Sequence, residues 1–141
     1  MRAVLQRVSR ARITVAGSQV ARIDGPGLLA LIAATHTDDL DTASRMARKI
    51  AELRILDDER SVLDLGGSVL VVSQFTLYGQ TRKGRRPSWS DAAPPELARP
   101  LVDRVAAALK TRGLTVAVGV FGAVMSVDLV NEGPFTLLVE V

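Results

Sequence analysis

The chain of 141 residues contains no cysteine, which excludes disulfides and thiolate-held metals. Aromatic residues make up only 4%, so its core must be aliphatic, built from Val, Leu, Ile and Ala. There is one histidine, His36, too few for a histidine-based metal centre. The longest apolar run, Leu28 to Ala34, is far short of the ~20 residues that span a bilayer. The opening MRAVLQRV lacks the pattern of a signal peptide. No Walker loop, G-x-G-x-x-G fingerprint or G-x-S-x-G elbow occurs. These absences point to a cytoplasmic protein with no metal, no cofactor, no membrane span and no standard catalytic triad.

The 48% hydrophobic content is that of a globular chain, and the length favours one domain over residues 1–141. AVLQRV (3–8) and RITVA (12–16) read as strands, and Gly17-Ser18 as a hairpin turn before QVARI. GPGLLALIAAT (25–35) reads as a strand buried on both faces. Asp38, Asp39 and Asp41 suit a helix start, and Leu40, Ala43, Ala47 and Ile50 continue at helical spacing to about Leu53. SVLVVSQFTL (68–77) is the strongest strand signal. Residues 79–95 form a long polar loop. A second amphipathic helix carries Leu97, Leu101, Val105 and Leu109 on one stripe and ends at Gly113. Pro100 requires that this helix start near it or be kinked in its first turns. LTVAVGVF, MSVDLV and TLLVEV read as three closing strands. The expected class is α/β: mixed, curled sheets forming a barrel-like core with two helices packed outside.

Net charge is +3, a mild attraction for polyanions. Its distribution is uneven, with Arg82, Lys83, Arg85 and Arg86 crowded into TRKGRR. Such a run is either a solvated loop or a phosphate-contacting one; Gly79 and Gly84 favour close approach to a ligand. Ser73, Gln74 and Thr76 put three polar side chains at the exit of the most apolar strand. They are either hydrogen-bonded fillers or the lining of a site, since strand ends opening into loops often carry function. The five aromatics (Phe75, Tyr78, Trp89, Phe121, Phe135) are scattered along the chain, which speaks against a stacking platform for RNA. NEGPFT (131–136) interrupts two strand-like runs. Gly133-Pro134 is either a corner or a piece of backbone presented to something.

SQFTL (73–77) and NEGPFT, taken with LQRV (5–8), the Gly84, Arg86, Pro87, Ser88 pattern and FGAVM (121–125), resemble the D-aminoacyl-tRNA deacylase family from end to end. The resemblance implies a cytoplasmic homodimer with a compact α/β fold. It would hydrolyse the ester joining a D-amino acid to the terminal adenosine of tRNA, and would act on glycine mischarged onto tRNA, for example Gly-tRNA(Ala). By resemblance, Gly133 and Pro134 form a Gly-cisPro motif that enters the partner subunit's pocket. Their two carbonyls would accept from the substrate's α-ammonium group and occupy the space of an L side chain, so selectivity works by rejection. Thr76, Phe75, Gln74 and Ser73 would line the receiving pocket, with N–H donors near Phe75 and Thr76. Arg82, Lys83, Arg85 and Arg86 would hold the tRNA acceptor end.

Three departures from the family pattern stand out. The segment between Arg54 and Gly67 is short, Phe135 replaces a smaller Val, and Trp89 replaces Phe. Other readings are a related deacylase clearing L-alanine from tRNA, a non-catalytic RNA-binding module, and a serine hydrolase built on Ser73.

Overall fold

The apolar runs at 25–35 and 68–73 become the centre of one sheet because each has two faces to bury. The computed structural model describes residues 1–141. Its strands are β1 (Arg2–Val15), β2 (Ser18–Ala33), β3 (Ser68–Ser73), β4 (Thr115–Val118) and β5 (Ser126–Glu140), in the order β4-β3-β2-β1-β5. β1 runs antiparallel to β2 and β5, whereas β2, β3 and β4 are mutually parallel. The helices α1 (Leu40–Glu52) and α2 (Pro95–Thr111) are the crossovers that parallel pairing requires. Leu28, Ala30, Ile32, Val69 and Val71 face these helices in one cluster, while Leu29, Leu70 and Val72 face the opposite side in a second. Alternate residues therefore enter different cores, which is why these strands read as continuous apolar runs.

The second core is covered by the sheet itself. β1 and β2 are each one long strand, not the separate short strands expected. Their pairing skips between Val8 and Arg10, opposite Gly25-Pro26. Gly25 takes a left-handed φ of +79°. Gly27 lies so close to β3 that a Cβ would sit 2.4 Å from the Ser68 carbonyl oxygen. A bulge bends a strand and raises its twist, and here it sends Val8, Ala11, Ile13 and Ile23 over Leu29, Leu70 and Val72. The curled mixed sheet with outside helices is as expected. The barrel is not: β4 and β5 remain free edges, because within the chain β4 pairs only with β3 and β5 only with β1.

α1 begins where Asp39 caps it, accepting from the Thr42 N–H and hydroxyl at 2.7 Å each. Those bonds hold the Asp39 carboxyl below the ordinary carboxylate range. α2 starts at Pro95, with Pro100 inside it. It closes on Gly113, where the Gly113 N–H bonds Lys110 O and the Leu114 N–H bonds Leu109 O. Met46, Ile50, Leu101, Val105 and Leu109 form the buried contact between the helical layer and the sheet. Neither helix is long and apolar enough to cross a membrane.

Candidate active site

The C-terminal ends of the parallel strands β2 and β3 open into a cleft of about 660 Å³, the usual location of sites in such sheets. β3 ends at Ser73, earlier than expected. Beyond it the Gln74 N–H makes a last bond to Ile32 O at 2.7 Å, and residues 75–78 wind into a single 3₁₀ turn. β4 has already ended opposite Val71, so QFTL has no ladder to join.

Arg2 holds this turn in place. It donates to Leu77 O at 2.7 Å, pairs with Glu140 at 2.6 Å and lies 4.7 Å from the Tyr78 ring centre. Partial burial in this corner pushes the Tyr78 phenol above its ordinary pKa. Ser73, Gln74 and Phe75 line the cleft. Thr76 stands just behind it, its Oγ1 accepting from the Gln74 side-chain amide, which leaves the Thr76 hydroxyl proton free to donate. The Phe75 and Thr76 N–H groups open the turn and have no acceptor within the chain.

The opposite walls come from α2 (Pro95, Ala98, Val102) and the segment Phe121–Met125. The loop 79–95 supplies Trp89, and it is sewn to the end of β2. Thr35 Oγ1 donates to Asp91 O at 2.6 Å, His36 Nε2 to Ser90 O at 3.0 Å, and the Ala93 N–H to Ala34 O at 2.9 Å. Gly79 has to be glycine, because a Cβ there would meet the Trp89 ring at 2.5 Å. Phe75 and Trp89 meet edge-to-face with ring centres 5.6 Å apart, and both are substantially exposed. Three of the five aromatics, Phe75, Trp89 and Phe121, thus converge on one cleft. These three are scattered along the sequence and gathered in space.

The histidine is spent on the Ser90 carbonyl, and Ser73 Oγ has no hydrogen bond to any base, so the parts of a serine nucleophile are not assembled. No three His, Asp or Glu side chains converge as metal ligands.

The remaining predicted residues lie outside this cleft. Arg82, Lys83, Arg85 and Arg86 sit on the exposed tip of a hairpin closed by the Gln80–Ser88 bridge, and none has an acidic partner. Gly133 and Pro134 belong to β5, which is one strand and not two. Gln6 pairs with Thr136 and Val8 with Asn131, so residues 132–135 bulge out of the ladder. The Gly133–Pro134 peptide is cis, both residues are exposed, and a Cβ on Gly133 would meet nothing within 4 Å. Val8 also pairs with Gly27, six residues before the cleft end of β2 at Ala33, which puts the bulge about 20 Å away along the strands. The chain does not bring its own Gly-Pro pair to its own cleft.

Sequence reasoning missed Arg7. Its Nε donates to Glu132 O at 2.8 Å and its Nη2 to Gly133 O at 2.7 Å, while Nη1 pairs with Asp57 at 2.9 Å. The same guanidinium lies 5.0 Å from the Phe135 ring centre. Arg7 is the β1 residue directly opposite the bulge, between Gln6 and Val8, and nothing local in LQRV signals that position.

A family profile described as "D-Tyr-tRNA(Tyr) deacylase" matches residues 4–140. Proteins named "D-aminoacyl-tRNA deacylase" from Thermobifida fusca (strain YX) and Beutenbergia cavernae are 60% identical over 141 residues and 59% over 140; the matches cover 100% and 99% of both chains. Among solved structures, one described as "c-Myc DNA Unwinding Element Binding Protein" superposes with a TM-score of 0.92 at 37% identity, covering 100% of this chain and 99% of that one. Another, "a probable eukaryotic D-amino acid tRNA deacylase", gives 0.86 at 18% identity, covering 99% and 98%, and speaks for the fold alone. The chain belongs to the D-aminoacyl-tRNA deacylase family, hydrolases that act on aminoacyl-tRNA.

Proposed function

We propose that this protein hydrolyses the ester between a D-amino acid and the 3′ end of tRNA, working as a cytoplasmic homodimer in which each subunit's Gly133-Pro134 enters the other's cleft. The observation that carries this reading is the separation of parts. An apolar cleft with two free N–H donors lies at one end of the sheet, and an outward bulge, open where a Cβ on Gly133 would project, lies elsewhere.

The terminal adenine stacks on the Phe75, Trp89 and Phe121 wall, using the π-faces that every base offers. The exposed loop at Arg82, Lys83, Arg85 and Arg86 contacts phosphates of the acceptor end, which positions without reading sequence. Water attacks the ester carbonyl. The oxyanion accepts from the Phe75 and Thr76 N–H groups, and the C–O bond to the ribose breaks with a proton passing to the leaving oxygen. The ester is already activated, so orientation, the ribose 2′-OH and the Thr76 hydroxyl suffice without a protein nucleophile. The Gly133 and Pro134 carbonyls receive the α-ammonium group and exclude an L side chain. Glycine lacks a side chain and passes the same filter, which extends the activity to Gly-tRNA(Ala).

The test is ester release from D-Tyr-, L-Tyr-, Gly- and L-Ala-tRNA. Release from D-Tyr- and Gly-tRNA with L-Tyr-tRNA spared is the expected outcome. Preferential release of L-alanine would assign the related activity, and tight tRNA binding with no release would make the protein a binding module.

A further inference from the structure

Two departures noted in the sequence, the short segment after Arg54 and the aromatic at 135, meet at one guanidinium. All three nitrogens of Arg7 are engaged: two by the carbonyls of Glu132 and Gly133, the third by Asp57. Phe135 lies under the same group and packs against the main core. We infer that Asp57 is a specificity-determining positioning residue, acting through Arg7 to keep the Gly133 carbonyl able to receive a cation.

The effect is electrostatic. A carbonyl oxygen has two lone pairs, and Arg7 takes one at Gly133. The other would face a substrate ammonium, with a guanidinium charge only one bond length of hydrogen bonding away. Two like charges on one oxygen oppose each other. Asp57 offsets the Arg7 charge from its far side, so the carbonyl is fixed by Arg7 without presenting a net positive group.

The backbone around Asp57 is consistent with a held position. Asp58 and Glu59 are consecutive non-glycine residues with left-handed φ of 57° and 53°, a conformation that persists where surroundings over-determine it and that gathers at functional sites. The turn rises from a clamped base: Ile55, Leu56, Ser61 and Val62 are buried, and Leu56 N–H bonds Arg60 O at 3.0 Å. Arg60 closes the turn by donating to Asp57 O and pairing with Asp58, which leaves the Asp57 carboxylate for Arg7.

This rests on the proposed role of the Gly133 carbonyl, and the experiment separates the two. Hydrolysis of D-phenylalanyl-tRNA is compared with that of D-phenyllactyl-tRNA, in which a hydroxyl replaces the α-amino group. For wild type the amine is expected to be the better substrate by KM; equal KM values would overturn the filter reading itself. Given that preference, Asp57→Asn is expected to raise KM for the amine about three- to fivefold, the size of a partly exposed charge pair, with kcat nearly unchanged and no change for the hydroxy ester. Asp57→Glu should recover part of the loss. Asp58→Asn, on the same turn but paired with Arg60, should behave as wild type. Equal effects on both esters, or none on either, would overturn the inference. Thermal midpoints of both Asp57 variants, expected near wild type because the carboxylate is 83% exposed, identify a merely structural loss.

Discussion

A single hydroxyl shows how little conventional catalytic equipment this cleft holds. Thr76 Oγ1 accepts from the Gln74 amide and keeps a proton to donate, but no base stands beside it. Its contribution should therefore be that of one well-placed hydrogen bond. Thr76→Val, which keeps the shape and removes the donor, is expected to slow single-turnover release from D-Tyr-tRNA by about tenfold, equivalent to ~1.4 kcal/mol of barrier. Loss of all activity with tRNA binding intact would instead give Thr76 an essential chemical role. The residue scale also shows what a sequence pattern conceals. Ser73, Gln74 and Thr76 are legible as polar residues where polarity is costly. Arg7 is not, because an arginine at an outward position of a strand is ordinary until the bulge folds over it.

At the scale of elements, the α1 N-cap and the basic loop make opposite uses of charge. The Asp39 carboxyl has a lowered pKa because it accepts from the Thr42 N–H and hydroxyl. A depressed folded-state value means the stabilisation is complete above the unfolded carboxylate range, near ~3.9, and is lost as pH falls through the folded value. Asp39→Ala should accordingly lower the thermal midpoint at neutral pH. The gap to wild type should shrink as pH drops below 4, and a gap independent of pH would assign the loss to packing. The loop at 82–86 has its charges unpaired and pointing into solvent. Changing Arg82, Lys83, Arg85 and Arg86 together to Gln should weaken tRNA binding and flatten the plot of log K against log salt by up to about three units of slope. Hydrolysis of a short aminoacyl-adenosine should change far less. Equal damage to both substrates would make the loop structural.

The whole molecule raises the question of where the proposed Gly133-Pro134 filter would work. Gly133 has open space around it within its own chain, so Gly133→Ala should fold with a thermal midpoint close to wild type. If it nonetheless loses most D-selective turnover, the added methyl must meet something that another molecule brings. Mixed dimers identify that molecule. A Gly133→Ala subunit combined with one whose cleft is blocked by Ser73→Trp leaves one open cleft served by one intact bulge. Activity of about half that of wild type per dimer, from two inactive parents, would locate filter and cleft on different subunits of a two-fold assembly. A heterodimer as inactive as its parents would place both in one chain.

The amino-acid order by itself determined what depends on neighbours a few residues apart. α1 and its acidic start at Asp38, Asp39 and Asp41, the end of α2 at Gly113, the doubly buried run in β2 and the apolar β3 all follow from local periodicity and turn chemistry. The polar triplet at the β3 exit was legible for the same reason. What only the tertiary structure decided concerns positions whose partners are distant in sequence. The bend at Gly25-Pro26 and Val8/Arg10 is set by two strands acting together, and it makes a curled open sheet and not the barrel-like core expected. The end of β3 at Ser73 depends on where β4 stops, over forty residues later. Phe75, Trp89 and Phe121 are scattered in sequence and gathered on one cleft in space because two separate connections, β3 to α2 and β4 to β5, leave from neighbouring strand ends. Asp57, Arg7 and Gly133 meet because β5 returns beside β1, and no local pattern encodes a contact closed by the whole length of the chain.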